Sequence, residues 1–137
     1  MKQAGLVFLI IIYSIYSGFG QEKESRPGKK DAWPEITFEK TLHDFGRINY
    51  NGEGTCVFKF ENTGKEPLVL VKVRGDCGCT IPSWPDQPVK PGGIDSITVK
   101  YNTRITGFFS KTIRVHSNAK DPLMLLTVKG EVEPALE

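Results

Sequence analysis

Apolar and polar side chains alternate with a period of two through most of the chain. In one segment Cys56, Phe58 and Phe60 share a face, while Lys59 lies on the opposite face. The same alternation recurs further on, and its apolar members are Val69, Val71 and Val73, then Ile97, Val99 and Tyr101, then Ile113 and Val115, and finally Met124, Leu126, Val128 and Val132. A period of two is typical of half-buried β-strands.

Turn-forming residues separate these segments. Residues 62–67 contain Asn, Gly and Pro, residues 91–93 read Pro-Gly-Gly, and Asn51-Gly52 marks an earlier reversal. Proline fixes φ and glycine supplies φ > 0, so both favour sites where strands reverse. No window predicts an amphipathic helix. About seven short strands in about 100 residues favour an immunoglobulin-like antiparallel β-sandwich, with a small β-barrel as the alternative.

The first twenty residues have the pattern of a secretory signal peptide. Lys2 supplies a basic start, residues 6–12 are all apolar, and small residues follow up to Gly20. The alternative is a membrane anchor, but the apolar run is shorter than the roughly 20 residues that span a bilayer. We therefore predict a signal peptide over residues 1–20, cleaved before Gln21, and an exported protein in the periplasm or outside the cell.

The rest of the chain divides into two parts. Residues 21–35 are mostly charged or polar and predict a flexible tether, because such a segment cannot bury enough apolar surface to offset its ordering entropy. Residues 36–137 form the predicted β-sandwich domain. The formal net charge is +2, and it falls to +1 when Lys2 is lost with the signal peptide. This balance argues against a nucleic-acid surface, and no second apolar segment predicts an integral membrane span after cleavage.

The chain has three cysteines, and geometry predicts that they gather at one end of the sandwich. Cys56 lies on the inward face of its strand, and the chain reverses at residues 62–67. Cys56 should then be level with about Val73 on the returning segment, and Cys77 and Cys79 follow within a few residues. We therefore treat Cys56, Cys77 and Cys79 as a candidate thiol cluster.

Three interpretations of this cluster stay open. Cys56 can be a buried thiol beside two structural cysteines in a tight turn. It can instead form a disulfide with Cys77 or Cys79, which leaves one odd thiol. In the third interpretation the Cys77 and Cys79 pair carries chemistry, either as a strained and labile bridge across one glycine or as ligands for Cu(I), with His43 or His116 as helpers.

The remaining residues predict no catalytic site. The sequence contains no phosphate-binding loop, dinucleotide fingerprint, calcium loop or nucleophile elbow, and its carboxylates are scattered. We therefore expect no enzyme activity and no cofactor. Trp84 has two interpretations: a cap over one end of the core, which we favour, or an exposed anchor for a partner protein.

Several short motifs together resemble one bacterial family. They are Asp44-Phe45-Gly46, Glu61-Asn62-Thr63-Gly64, Cys77-Gly78-Cys79-Thr80 with Pro82 and Trp84, Pro91-Gly92, and Val115-His116-Ser117-Asn118. With these residues the chain resembles the secreted family of domain of unknown function 1573. The resemblance implies an immunoglobulin-like fold, related in shape to the major sperm protein, and no known activity. Cys56 is outside this pattern.

These observations favour an exported cell-envelope module that is structural or binds another envelope protein. Free strand edges would suit it to pairing with a partner chain. The alternative hypothesis is a periplasmic thiol-redox or copper-binding protein that uses Cys77 and Cys79.

Overall fold

A computed structural model describes residues 32–136, and in that range the chain forms eight β-strands and no helix. The predicted signal peptide and residues 21–31 of the predicted tether lie outside the described residues. The strands are β1 (Ile36–Phe38), β2 (Leu42–Ile48), β3 (Thr55–Asn62), β4 (Leu70–Gly75), β5 (Thr80–Ser83), β6 (Ile94–Tyr101), β7 (Gly107–Ser117) and β8 (Leu123–Val132).

The strands form two four-stranded sheets. The first sheet has the order β1-β3-β6-β5, and the second has the order β2-β8-β7-β4. Neighbouring strands are antiparallel except β2 and β8, which are parallel. The prediction of an immunoglobulin-like β-sandwich is confirmed. The structure has eight strands where about seven were predicted, and the first two lie in different sheets: β1 pairs with β3, and β2 pairs with β8.

The core lies between the sheets and is built from the predicted inward faces. Phe58 and Phe60 on β3 are buried, while Lys59 between them is exposed. The side chains predicted to share this core are also fully buried, namely Ile97, Val99, Ile113 and Val115. The face assignment from the alternating pattern is therefore confirmed for the inner strands.

The alternating pattern is wrong at the start of β4. It placed Val69, Val71 and Val73 on one face, and Val73 is buried, but Val71 is 66% exposed and Leu70 is buried in its place. The register between β4 and β7 shifts between Leu70 and Lys72. Such a bulge inserts one extra residue, and a slip of one residue exchanges the inward and outward faces of a strand.

A buried asparagine organises the turn after β3. The side-chain Nδ2 of Asn62 donates to the carbonyl oxygens of Glu66 (2.8 Å) and Val89 (2.9 Å). Its Oδ1 accepts from the backbone N–H of Gly64 at 3.0 Å, and its own backbone N–H donates to Gly93 at 2.9 Å. Asn62 is completely buried, and these bonds satisfy its polar groups while joining separate loops.

The segment before β1 is held against these loops. The carbonyl of Trp33 accepts from the backbone N–H of Lys65 at 3.0 Å, and the carbonyl of Pro34 accepts from Lys120 at 2.9 Å. The end of the predicted tether, from residue 33 on, is therefore hydrogen-bonded to the folded domain. Within residues 32–136 there is no helix of the length and apolarity needed to cross a membrane.

Candidate functional site

The two cysteines of the Cys-Gly-Cys motif form a disulfide. Cys77 and Cys79 are joined with their Cα atoms 5.2 Å apart, in the link between β4 and β5. Both side chains are half-buried, and a Cβ at the intervening Gly78 would meet no neighbouring atom within 4 Å. The link carries the chain from the second sheet to the first, so the disulfide lies where the chain changes sheets.

Hydrogen bonds hold this link to both sheets. On the side of the second sheet, the carboxylate of Asp76 accepts from the backbone N–H of Thr112 (3.0 Å) and from Nη1 of Arg114 (2.7 Å). These two contacts lower the pKa of Asp76 below its usual range, with the Thr112 N–H as the larger cause. On the side of the first sheet, the carbonyl of Cys79 accepts from the backbone N–H of Asn102 at 2.8 Å.

Cys56 is a free thiol and takes no part in this disulfide. It is 5% exposed, and burial raises its pKa to about 11. Cys56 pairs across β3 and β6 with Val99, and Val99 pairs with Pro82 on β5. Strand β6 therefore lies between Cys56 and the strand that follows the disulfide. The structure brings Cys77 and Cys79 together and leaves Cys56 on the other side of β6.

This arrangement has consequences for metal and redox chemistry. Soft metals bind thiolates, and neither the disulfide sulfurs nor a buried thiol with a raised pKa supplies one. His43 lies on β2, three strands from β4 in the second sheet, and His116 pairs with Lys72 on the outer surface of that sheet. Residues 32–136 contain no cluster of three histidine, cysteine or acidic side chains that could hold a metal ion.

Trp84 follows β5 at the edge of the first sheet. Its side chain is 36% exposed. Both interpretations, a cap over one end of the core and an anchor for a partner protein, stay predictions.

One exposed surface, on the second sheet, was not apparent from the sequence. Leu42, Leu123 and Leu125 point outward from β2 and β8 and are 46–52% exposed. The outward side chains on β4 and β7 include three cations, Lys72, Arg74 and Arg114. We call this surface the leucine–arginine face, and its residues are Leu42, Leu123, Leu125, Lys72, Arg74 and Arg114.

Strand pairing fixes the rows of this face. Arg74 lies directly opposite Arg114, and Arg114 lies directly opposite Leu125. In the next row, Lys72 lies opposite His116, which lies opposite Leu123. Each row therefore runs from a cation on the edge strand β4 to a leucine on β8. Alternation within single strands does not identify such a surface, because its members come from segments far apart in sequence.

The strand edges are less suited to pairing with another chain than the sequence suggested. The edges of the first sheet are β1, which has three residues, and β5, which has four and contains Pro82. The edges of the second sheet are β2 and β4, and both have a register shift. Short strands, proline, bulges and edge cations such as Lys72 all hinder edge-to-edge pairing. The faces are therefore better candidates for contact than the edges.

Many solved structures have a similar fold, among them the following three. A protein of unknown function from Porphyromonas gingivalis W83 has a TM-score of 0.68 at 19% identity, and the match covers 78% of this chain and 51% of that chain. This chain thus spans about half the length of that protein. The ASH/PapD-like domain 7 of human CEP192 has a TM-score of 0.59 at 13% identity, with coverages of 80% and 93%. The Pseudomonas aeruginosa CupB2 chaperone has a TM-score of 0.51 at 12% identity, with coverages of 70% and 55%.

At these identities the structural similarity supports the fold alone. Among curated proteins, no sequence matches this chain significantly. Residues 36–132, which comprise all eight strands, match a family described as "Protein of unknown function (DUF1573)". The chain belongs to this family.

Proposed function

We propose that this protein is an exported, non-enzymatic module of the cell envelope that binds another protein through the leucine–arginine face. The observation that carries the proposal is the group of exposed leucines on β2 and β8. Neighbouring exposed aliphatic side chains often mark a contact surface, whereas isolated ones are normal. The hindered strand edges support a face rather than an edge as the contact surface.

The export part of the proposal rests on the N-terminal sequence. A basic start, a short apolar run and small residues near Gly20 are the pattern of a cleaved signal peptide. Mass spectrometry of the purified exported protein should give an N-terminus at or near Gln21. Retention of residues 1–20 in a membrane fraction would contradict cleavage.

The alternative function, thiol-redox or copper chemistry at Cys77 and Cys79, is not favoured. The pair is oxidised, and the link that contains it is hydrogen-bonded at both ends. A structural clamp between the two sheets accounts for this arrangement.

Site-specific photo-crosslinking in cells tests the contact surface. A photoreactive amino acid replaces Leu125 on the leucine–arginine face, and the matched control replaces Val57 on the outer face of the first sheet. The two side chains are similarly exposed, at 52% and 46%. We expect a discrete crosslinked product from position 125 and none from position 57. Equal crosslinking at both positions, or none at position 125, would rule out this face.

A further inference from the structure

The cations of the leucine–arginine face are incompletely neutralised. Arg74 and Arg114 lie directly opposite each other, and like charges in that position destabilise a sheet. Asp76 forms a salt bridge with Arg114 at 2.7 Å. Among the described residues, neither Lys72 nor Arg74 has an acidic partner within 4.0 Å. The free protein therefore keeps an uncompensated pair of positive charges on adjacent rows.

We infer that the partner binds this face with an acidic segment, whose carboxylates contact Lys72 and Arg74 and whose aliphatic side chains cover Leu123 and Leu125. This inference rests on the proposed function and names the chemistry of its partner. Carboxylates placed beside the two cations would supply the missing opposite charges. Aliphatic side chains over the leucines would remove exposed apolar surface from water.

The spacing of the rows defines the segment further. Strands within a sheet lie about 4.8 Å apart, so a cation on β4 and a leucine on β8 are separated by two such steps, or about 10 Å. An extended chain advances about 3.3 Å per residue, and its successive side chains point to opposite faces, so only an even spacing places both groups on the same surface. Four positions cover about 13 Å, which the long lysine and arginine side chains can bridge, so the segment should carry its carboxylates four positions from its aliphatic side chains.

The rest of the same surface favours a protein segment over an anionic membrane. The far rows of this sheet hold ion pairs, in which Asp44 contacts Lys129 at 4.0 Å and Glu131 contacts Arg47 at 3.8 Å. A flat anionic bilayer would cover these neutralised rows together with the cationic rows and would gain little from the former. A narrow acidic segment can contact the cationic rows alone.

Peptide binding to the purified full chain tests the inference. The probe is a synthetic fluorescent peptide with two glutamates at alternate positions, each followed four positions later by a leucine, so that all four side chains share one face of an extended chain. One control peptide carries glutamine in place of glutamate, and a second carries serine in place of leucine. We expect the glutamate–leucine peptide to bind most tightly and its affinity to fall with added salt, because exposed charge pairs are screened.

Variants then connect binding to the named residues. We expect the double variant Lys72→Glu, Arg74→Glu to weaken peptide binding by about tenfold or more, because attraction becomes repulsion at two positions. Lys59→Glu, at an exposed position on the outer face of the first sheet, is the matched control and should leave binding unchanged. Thermal unfolding of each variant checks the fold. If the double reversal fails to fold, Lys72→Gln with Arg74→Gln takes its place and should also weaken binding.

Three results would overturn the inference. They are equal binding of the glutamine peptide, no effect of neutralising or reversing Lys72 and Arg74, and preferential binding to vesicles of anionic phospholipid. These results differ from failure of the proposed function. A protein that crosslinks to position 125 but does not depend on Lys72 or Arg74 would leave the contact surface intact and refute its acidic partner.

Discussion

The substitution Asn62→Asp tests the hydrogen bonds that hold the turn after β3. The change keeps the size and shape of the side chain, and one oxygen still faces the N–H of Gly64. The amide donor is lost, however, and it serves the carbonyl oxygens of Glu66 and Val89 at 2.8 and 2.9 Å. An ionised carboxyl group there would place negative charge against two carbonyl oxygens in a fully buried site.

The expected loss follows from these contacts. The two lost hydrogen bonds contribute about 1 kcal/mol each, and the Glu66 carbonyl, left without this donor, costs about 1–3 kcal/mol more. The Val89 carbonyl keeps its bond from the backbone N–H of Leu68 at 2.8 Å. We therefore expect the free energy of unfolding to fall by roughly 3–5 kcal/mol.

Asn118→Asp is the matched control. Asn118 is exposed, accepts from the N–H of Val69 at 2.8 Å, and would lose only its bond to the carbonyl of Pro67 at 3.2 Å. The free energy of unfolding of this control variant should fall by less than about 1 kcal/mol.

The pH dependence gives an independent readout. Burial and the two carbonyl oxygens disfavour the charged form, so the introduced carboxyl group should have a folded-state pKa above its unfolded value of about 3.9. The folded state then binds more protons between these two values, and its stability falls as pH rises through that window and levels off above the folded pKa. Urea unfolding of both variants and the parent from pH 3 to 8 measures this. A loss no larger than that of the control, or a loss independent of pH, would refute the hydrogen-bond assignment at Asn62.

Three further predictions concern the core and the disulfide link. Phe58→Ala should lower the free energy of unfolding by roughly 3–5 kcal/mol, while Lys59→Ala should change it little, and equal small losses in urea titrations would contradict the burial pattern. The Cys56 thiol, with a pKa of about 11 and 5% exposure, should resist iodoacetamide at pH 8 until the protein unfolds, and rapid native labelling would be inconsistent with its burial. The Asp76 carboxyl group should titrate by NMR below its usual pKa of about 3.9. Arg114→Ala should raise this pKa, because the salt bridge favours the charged form. The stability that this contact contributes is lost as the pH falls through the lowered pKa.

The sequence predicted the inner strands well for a physical reason. On β3, β6 and β7, the residues on one face must be buried, so apolar side chains recur at every second position and mark that face. Phe58, Ile97 and Ile113 all followed this rule and are fully buried. Their paired segments have a continuous register, so a pattern within one segment is enough to assign the face.

The alternating pattern gave a wrong face assignment where the register between paired strands shifts. At the start of β4 the apolar run includes both Leu70 and Val71, and sequence alone does not say which residue occupies the bulge. Pairing with β7 decides which residue occupies the bulge, and that pairing joins segments more than 40 residues apart. The placement of β1 and β2 in different sheets also depends on distant pairing, because β1 pairs with β3 and β2 pairs with β8.

The positions of the three cysteines depend on strand order, which a local sequence pattern does not reveal. Reversal of the chain at residues 62–67 correctly suggested that β4 returns past β3, but it did not reveal that β6 separates Cys56 from β5. The Cys77 and Cys79 Cα atoms are 5.2 Å apart, within the usual range for a disulfide, and these two residues form the bond. A link of this length closes a very small loop, so the disulfide constrains the unfolded chain little. Its expected contribution is to the local path of the chain between the sheets.

The leucine–arginine face could not be recognised from sequence because it is a product of strand order. Lys72 and Arg74 belong to β4, and Leu123 and Leu125 belong to β8, with β7 between them. Within each strand these residues occupy outward positions, and an outward leucine or lysine is unremarkable alone. The strand order aligns two cations with two leucines in adjacent rows, and it also sets Arg74 against Arg114. Neither feature belongs to the buried core, and the second places two like charges side by side, with only Arg114 paired to an acidic group within residues 32–136. These features support the proposal that a partner binds this surface.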